Sequence, residues 1–268
     1  MNKKGSKLVK SIFLSLFLFL LFSSGNIRAD KKYFGRSYTS YTLPAGALEL
    51  ELWQTGRLDK GIGNYYRWQP RFEVEYGITD RLTGSMYLNF NEVKSANSTI
   101  APEPFSLSNT SFEFRYRLSN QGEYFVDPAL YFEFGYSGEE ISYEPKILLT
   151  KRIDKFISVL NINSEIERSP SKNETESSLE FTAGLAYELS NHVSLGLEFR
   201  NHRNYENIFD EEENQASFVG PTISFQGERF YFVVNFLAQV GGSPATVNNL
   251  DLGGHEKYEI RTILGIEL

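Results

Sequence analysis

Between residues 66 and 91 (YRWQPRFEVEYGITDRLTGSMYLNFN) apolar and polar side chains alternate one for one. Phe72, Val74, Tyr76 and Ile78 are apolar, and Arg71, Glu73, Glu75 and Gly77 stand between them. After Thr79-Asp80-Arg81 the alternation resumes, with Leu82, Gly84, Met86, Leu88 and Phe90 on one parity and Thr83, Ser85, Tyr87, Asn89 and Asn91 on the other. A period of two puts successive side chains on opposite faces of an extended strand. The short connection at 77–81 makes the pair a tight antiparallel hairpin.

The same pattern predicts further strands at 47–55, 109–118, 124–136, 141–150, 156–167, 179–189, 193–199, 216–225, 230–240 and 258–268, about twelve in all with the hairpin. Links after the even-numbered strands are short. Those after the odd-numbered strands (56–64, 92–104, 168–174, 201–214, 241–257) are longer, except after the fifth. An even strand count with alternating short and long links is the pattern of a bacterial outer-membrane barrel, with short turns in the periplasm and long loops outside. A chain that ends inside a strand fits closure of that strand against the first, since lipid tolerates no open edge. The expected fold is therefore all-β, an antiparallel transmembrane β-barrel of about twelve strands with both termini periplasmic. Residues 30–40 are expected to be a periplasmic lead-in. Pro70, Pro128, Pro145 and Pro221 fall inside the proposed strands, where each removes a ladder donor, so rims, bulges or shifted limits are expected there. The rival fold is a soluble periplasmic β-barrel or sandwich, which has the same alternation with its apolar parity inward.

Composition separates these partly. Residues 1–29 read as a secretory signal: Lys3, Lys4, Lys7 and Lys10 precede the apolar run IFLSLFLFLLF, and Ala29 stands at a plausible cleavage point. The run falls short of the ~20 apolar residues of a spanning helix. A single barrel domain at 30–268 remains. The leader holds five basic groups and no acid, so the formal charge of −7 becomes −12 once it is set aside. That balance disfavours nucleic acid and anionic lipid headgroups as bulk partners, and no nucleic acid is expected. Without cysteine there is neither a lipoprotein anchor nor a disulfide scaffold. An exported chain with 22 Phe and 16 Tyr, alternating throughout, points to the cell outer membrane and its lipid. Trp53, Trp68 and the tyrosines near strand ends suit interfacial girdles.

With the apolar parity in lipid, the lumen receives Glu49, Glu51, Arg67, Arg71, Glu73, Glu75, Glu113, Arg115, Arg117, Glu133, Lys146, Glu165, Glu180, Glu198, Arg200, Glu259 and Arg261. Enclosed charges persist when paired or hydrated. Two outcomes stay open: a narrow wet pathway for small solutes with a mixed-charge lumen, or a plugged, salt-bridged interior. Twelve strands lie between the filled eight-stranded barrel and the open porin. The alternatives are a structural or adhesin barrel resting on the long loops, and an outer-membrane lipid hydrolase using His192-Val193-Ser194. Against the hydrolase, His192 falls in a turn of the periplasmic class, and a triad is recognised by geometry rather than by a short string. His202 and His255 are expected in solvated loops, Asp210–Glu213 as a solvated acidic run, and Asn97, Asn109 and Asn173 as sequons without bacterial meaning. No catalytic residue, metal site or cofactor is expected.

The string Glu75-Tyr76-Gly77-Ile78-Thr79-Asp80-Arg81-Leu82, together with Thr42-Leu43-Pro44-Ala45-Gly46 ahead of a Leu/Glu strand, resembles a broad group of bacterial outer-membrane barrels. It is similar to transporter-like barrels of meta-pathway phenol-degradation operons and to uncharacterised spirochaete outer-membrane proteins. The resemblance covers mainly residues 42–91 and implies location and fold; it carries no substrate residue. The apolar carboxy terminus likewise resembles the assembly signal of such barrels, with Leu268 where Phe is usual. This implies the barrel-assembly machinery as a partner during biogenesis.

Overall fold

The computed structural model describes residues 31–61, 63–96 and 100–268. The leader expected at 1–29 and the Asn97 sequon lie outside them. Twelve strands close into one antiparallel barrel: β1 (Leu48–Leu58), β2 (Tyr65–Thr79), β3 (Leu82–Ser95), β4 (Glu103–Arg117), β5 (Asp127–Tyr136), β6 (Ile141–Ile153), β7 (Phe156–Ser169), β8 (Glu174–Glu188), β9 (Val193–Glu206), β10 (Glu212–Gln226), β11 (Phe230–Ser243) and β12 (Tyr258–Glu267). Each strand pairs with its sequence neighbours. The seam joins β1 to β12, from Glu49 opposite Glu267 to Leu58 opposite Tyr258. The first strand starts and the last strand ends at the same end of the barrel, here the turn end. The other end is the mouth.

The direction of the faces decides between the two folds. On β2, Phe72, Val74, Tyr76 and Ile78 are exposed on the outer wall, while Glu73 and Glu75 are buried inside. On β4, Phe112, Phe114 and Tyr116 point out, and Glu113 and Arg115 point in. A soluble barrel would reverse this, because burial of apolar surface in the core is what drives its folding. The fold is that of an outer-membrane barrel, whose outer wall is apolar and whose interior is polar.

The four prolines stand inside the strands, and the ladder shows how. Pro70 keeps its register against Gln54 of β1, while the β2–β3 ladder breaks off at Trp68 and resumes at Arg71. Pro145 pairs with Phe132, and the β6–β7 ladder skips from Tyr143 to Lys146. Pro221 pairs with Leu197, and the β10–β11 ladder skips from Val219 to Thr222. Each proline thus costs the ladder on one side only. Pro128 sits one residue into β5, opposite Leu149.

Several expected links are wrong. The proposed loops at 92–104 and 201–214 are shorter than expected: β3 runs to Ser95 and β4 begins at Glu103, which leaves a link at 96–102, and β9 runs to Glu206 and β10 begins at Glu212, which makes most of 201–214 strand. Strands of 15 residues such as β4 and β10 exceed the roughly 9–11 needed to cross a bilayer. At the mouth end of β9 and β10 both parities are mostly polar, and backbone pairing continues there without alternation. Conversely, the turn proposed at 119–123 is a longer link at 118–126. The acidic run divides between a tight turn and the start of β10, where Glu212 meets Arg203 at 3.3 Å. The adhesin reading rested on the loops after the third, ninth and eleventh strands; the first two shrink to 96–102 and 207–211, and the link at 244–257 remains long.

The largest correction concerns residues 31–46, of which those up to Ser40 are the expected periplasmic lead-in. They enter the barrel from the turn end and fold back inside it, burying Tyr33, Phe34, Ser37, Ser40 and Leu43. The lumen's small apolar clusters form around this segment. Tyr33 and Phe34 pack on Ile157, Val159 and Ala186, and Tyr38 packs on Trp53, Tyr231 and Ile263. Trp53 is 3% exposed inside the lumen, not in an interfacial girdle. Trp68 lies on the opposite parity and stacks on Phe105.

Candidate functional site: a plugged, charge-divided lumen

The inserted segment is held by polar side chains of the wall, and its own backbone supplies most of the partners. At its apex the Glu198 carboxylate (β9) accepts the N–H groups of Gly35, Arg36 and Ser37 at 2.7, 2.8 and 2.8 Å, and the Asn235 amide (β11) at 2.8 Å. Arg36 reaches Glu259 (β12) at 3.1 Å, and Arg261 donates to the Gly35 carbonyl at 3.1 Å. On the way back, Tyr38 N–H donates to Asn161 Oδ1 at 2.7 Å, and Asn161 Nδ2 donates to the Tyr38 carbonyl at 2.9 Å. Ser40 N–H then meets Thr150 Oγ1 at 2.7 Å and Leu43 N–H meets Thr83 Oγ1 at 2.9 Å. An enclosed segment without a paired neighbour must satisfy its backbone groups somewhere; here threonine, asparagine and glutamate of β3, β6, β7 and β9 replace a ladder.

Close approach requires glycine at two points. A Cβ at Gly184 would stand 2.6 Å from the Phe34 ring, so the absence of a side chain on β8 makes the seat for that ring. Gly35 lies against the side chain of Asn235, closer than any Cβ contact permits. The near end of the segment is fixed by charge: Lys31 pairs with Glu188 at 2.9 Å, Tyr33 O–H donates to Glu188 at 2.8 Å, and Arg152 also pairs with Glu188. Burial alone would lower the pKa of Lys32 and of Arg36. The surrounding carboxylates (Glu51, Glu73 and Glu75 for Lys32; Glu259, Glu180 and Glu256 for Arg36) outweigh it and hold both above their ordinary values.

Above the plug the lumen is hollow. A cavity of about 250 Å³ has Arg36 among its lining, and a second of about 380 Å³ is lined by mouth-end residues. Their walls differ in sign. Glu133, Glu144, Glu165 and Glu180 line the first from β5 to β8, and Glu167 and Glu176 line the second. Across from them stand Arg57, Arg71, Arg200 and Arg261, on β1, β2, β9 and β12, with Arg36 of the plug. Only Glu180 among these acids pairs closely with an arginine, Arg200 at 2.6 Å. Glu259 joins Arg36, Arg57 and Arg200 at 3.1, 3.7 and 3.9 Å, and Lys146 meets Glu144 at 3.3 Å. A network of paired arginines therefore faces an acid-rich wall across a cavity wide enough for water, with a transverse field between them.

The link at 244–257 folds over part of the mouth. Gln239 donates to the carbonyls of Asp251 and Glu256, Gly61 N–H donates to Leu252, and Arg57 pairs with Glu256 at 3.2 Å. His255 is buried between Asp251 Oδ2, 2.9 Å from its Nδ1, and His202 Nδ1, 3.2 Å from its Nε2. Neither histidine sits in a solvated loop, since His202 is on β9 facing inward. Burial pushes the His255 pKa down despite the Asp251 hydrogen bond that raises it.

The residues assigned to the lumen from sequence fall into distinct places. Glu49, Glu51, Glu73, Glu75, Glu113 and Arg115 are buried at the turn end, beside Lys32 of the plug or its neighbours. Glu198, Arg200, Glu259 and Arg261 surround the plug's apex. Arg71, Glu133, Glu165 and Glu180 face the cavity. Lys146 lies over the Tyr131 ring at 4.0 Å. Arg67 donates to Asn91 toward the mouth, and Arg117 donates to the Asp80 carbonyl at the turn end, so neither joins the others. Sequence reasoning missed Glu144 and Glu188, which parity within their strands would have found, and Arg57, which lies past the proposed end of the first strand. The Ser–His string does not assemble. His192 Nδ1 lies 2.8 Å from the Gln226 carbonyl, Ser194 is buried on the inner face, and no hydrogen bond joins the two among the described residues.

A family model described as a family of unknown function (DUF6662) matches residues 26–137 and 107–268. No curated protein matches the chain in sequence. Among solved structures, the COG4313 outer membrane channel from Pseudomonas putida F1 aligns at TM-score 0.62 and 12% identity, covering 89% of this chain and 100% of its own. The NanC porin aligns at TM-score 0.53 and 9% identity, over 82% of this chain and 98% of its own. The KdgM porin, in complex with disordered oligogalacturonate, aligns at 0.52 and 8%, over 82% and 99%. These likenesses are of fold.

Proposed function

The chain belongs to the family of unknown function DUF6662, and we propose that it is an outer-membrane channel for small polar solutes, closed at its turn end by its own amino-terminal segment. The single observation behind this is the hollow upper lumen. A barrel that only needs stiffness has no use for cavities of about 250 and 380 Å³ between an acidic and an arginine-rich wall. The turn end, with both chain termini, faces the periplasm, and the mouth opens outward. The fold shared with an outer membrane channel and two porins supports the reading, as does the resemblance of residues 42–91 to transporter-like barrels of phenol-degradation operons. The facing walls suit solutes that carry both charge signs or that orient a strong dipole.

The plug is non-covalent and spends its hydrogen bonds on wall side chains that water can replace, so it can leave without unpairing a strand. The test compares purified full-length barrel with a variant lacking residues 31–41, both in planar lipid bilayers. The variant should show discrete, sustained conductance steps where the full-length protein is mostly closed. Folded barrels that are silent in both forms would remove the channel.

A further inference from the structure

Lys32 reaches into a cage at the turn end of the lumen. Its Nζ is 2.6 and 2.8 Å from the two oxygens of Glu51, and stands 4.3 Å from the centre of the Trp53 ring. The Tyr38 and Tyr231 rings lie at 5.9 and 5.8 Å. Carboxylate oxygens of Glu51, Glu73 and Glu75 lie within 4.8 Å of one another, and a cavity of about 30 Å³ adjoins the Lys32 side chain. Trp53 Nε1 donates to Glu51 and Tyr231 O–H donates to Glu49 at 2.6 Å, which fixes both rings and both carboxylates. Glu73 is 2% exposed, and neither of its oxygens meets a hydrogen-bond donor.

We propose that this cage is an ammonium-binding site of the channel, that its ligands are linear organic cations bearing a primary ammonium, and that Lys32 is the tethered occupant with which they compete. The proposal rests on the channel reading and gives it a cargo class. An ammonium carries three donors and is drawn to an aromatic face, and the wall offers both kinds of partner at once. A calcium ion takes six to eight oxygens and has no use for the Trp53 face. When the plug withdraws it takes Lys32 and Tyr38 with it, but Trp53, Tyr231 and the glutamates stay on the strands. The wall then presents an excess of carboxylates with Arg115 as the nearby cation. A tethered group acts at an effective concentration on the order of millimolar, so a free amine must reach that range to displace Lys32.

The test is chemical rescue. Lys32→Ala removes what propylammonium carries, and Trp68→Phe leaves Trp53 as the sole indole, since the chain has two. Propylammonium chloride titrated into this variant in detergent should change Trp53 fluorescence saturably. Glu51→Gln added to it should weaken that binding about tenfold or more, the loss expected on removing a charged hydrogen-bond partner. Lys32→Met, which fills the cage, should not respond. Heat-modifiable gel migration reports folding of each. A folded Lys32→Ala barrel that ignores propylammonium, or that saturates with calcium or potassium instead, overturns the proposal. Should Lys32→Ala not fold, wild-type protein decides: tens of millimolar propylammonium should speed amide exchange over 31–41, and no change overturns the site. Amine binding without conductance would sink the channel and leave the site; conductance without amine binding would sink the site alone.

Discussion

At the scale of residues, Glu198 is the plug's main anchor, because one carboxylate accepts three consecutive backbone N–H groups and an amide. Such charged hydrogen bonds contribute about 1.5–3 kcal/mol each. Glu198→Gln keeps the shape but loses the charge and brings two donors toward the segment's N–H groups. The expected result is a plug weakened by about 2 kcal/mol, and amide exchange at residues 35–37 accelerated about 30-fold, at the rate of tenfold per 1.4 kcal/mol. Exchange unchanged at those amides would show that the segment is held elsewhere. Gly184→Val acts on the other side of the same loop: its Cβ occupies the place of the Phe34 ring, and overpacking of this kind costs about 1–3 kcal/mol. Protease nicking within 31–41 should rise in that variant while the barrel stays intact. These residues also show where sequence reading stops. Glu198 was visible as an inward charge from parity alone, but its partners are main-chain groups of a segment with no periodicity, and no side-chain pattern encodes them.

At the scale of elements, alternation is legible where lipid lies against one face, because each outward position must then be apolar. That made the opening hairpin readable to within a residue or two at its start and its turn, while its second strand runs four residues past the expected end, to Ser95. Past the expected ends the same strands run on, with outward Glu92 and Lys94 around a single buried Val93 at 92–95 and with mostly polar residues on both parities at 201–206. Hydrogen bonding maintains them there, and hydropathy does not register it. The mouth link at 244–257 has a pH dependence of definite sign. Burial lowers the pKa of His255, so the folded link favours neutral imidazole. Its stabilising effect is complete above the ordinary histidine value of about 6.5 and is lost as pH falls toward the lowered folded value. Amide exchange across 244–257 should therefore speed up between pH 7 and pH 5 relative to exchange in β11. His255→Asn should flatten that difference; an equal difference in the variant would assign it to another group.

At the scale of the whole molecule, the sign of each face separates a membrane barrel from a soluble one, and the lumen's contents separate a channel from a stiff peg. Fold, strand number and the inward charged parity could be read from the chain. The occupied lumen could not, since it depends on sixteen-odd residues whose partners come from strands far away in sequence. The central claim is that this segment closes the pathway and that its movement opens it. The most direct measurement uses the absence of native cysteine. Ser40 and Thr150 are buried and in contact through the 2.7 Å bond from Ser40 N–H to Thr150 Oγ1, so Ser40→Cys with Thr150→Cys introduces one disulfide between plug and wall. In single-channel recordings the oxidised barrel should stay closed, and a reductant added to the same bilayer should bring opening steps of the size seen without residues 31–41. Equal current before and after reduction, in a barrel whose disulfide has been verified, would contradict the account.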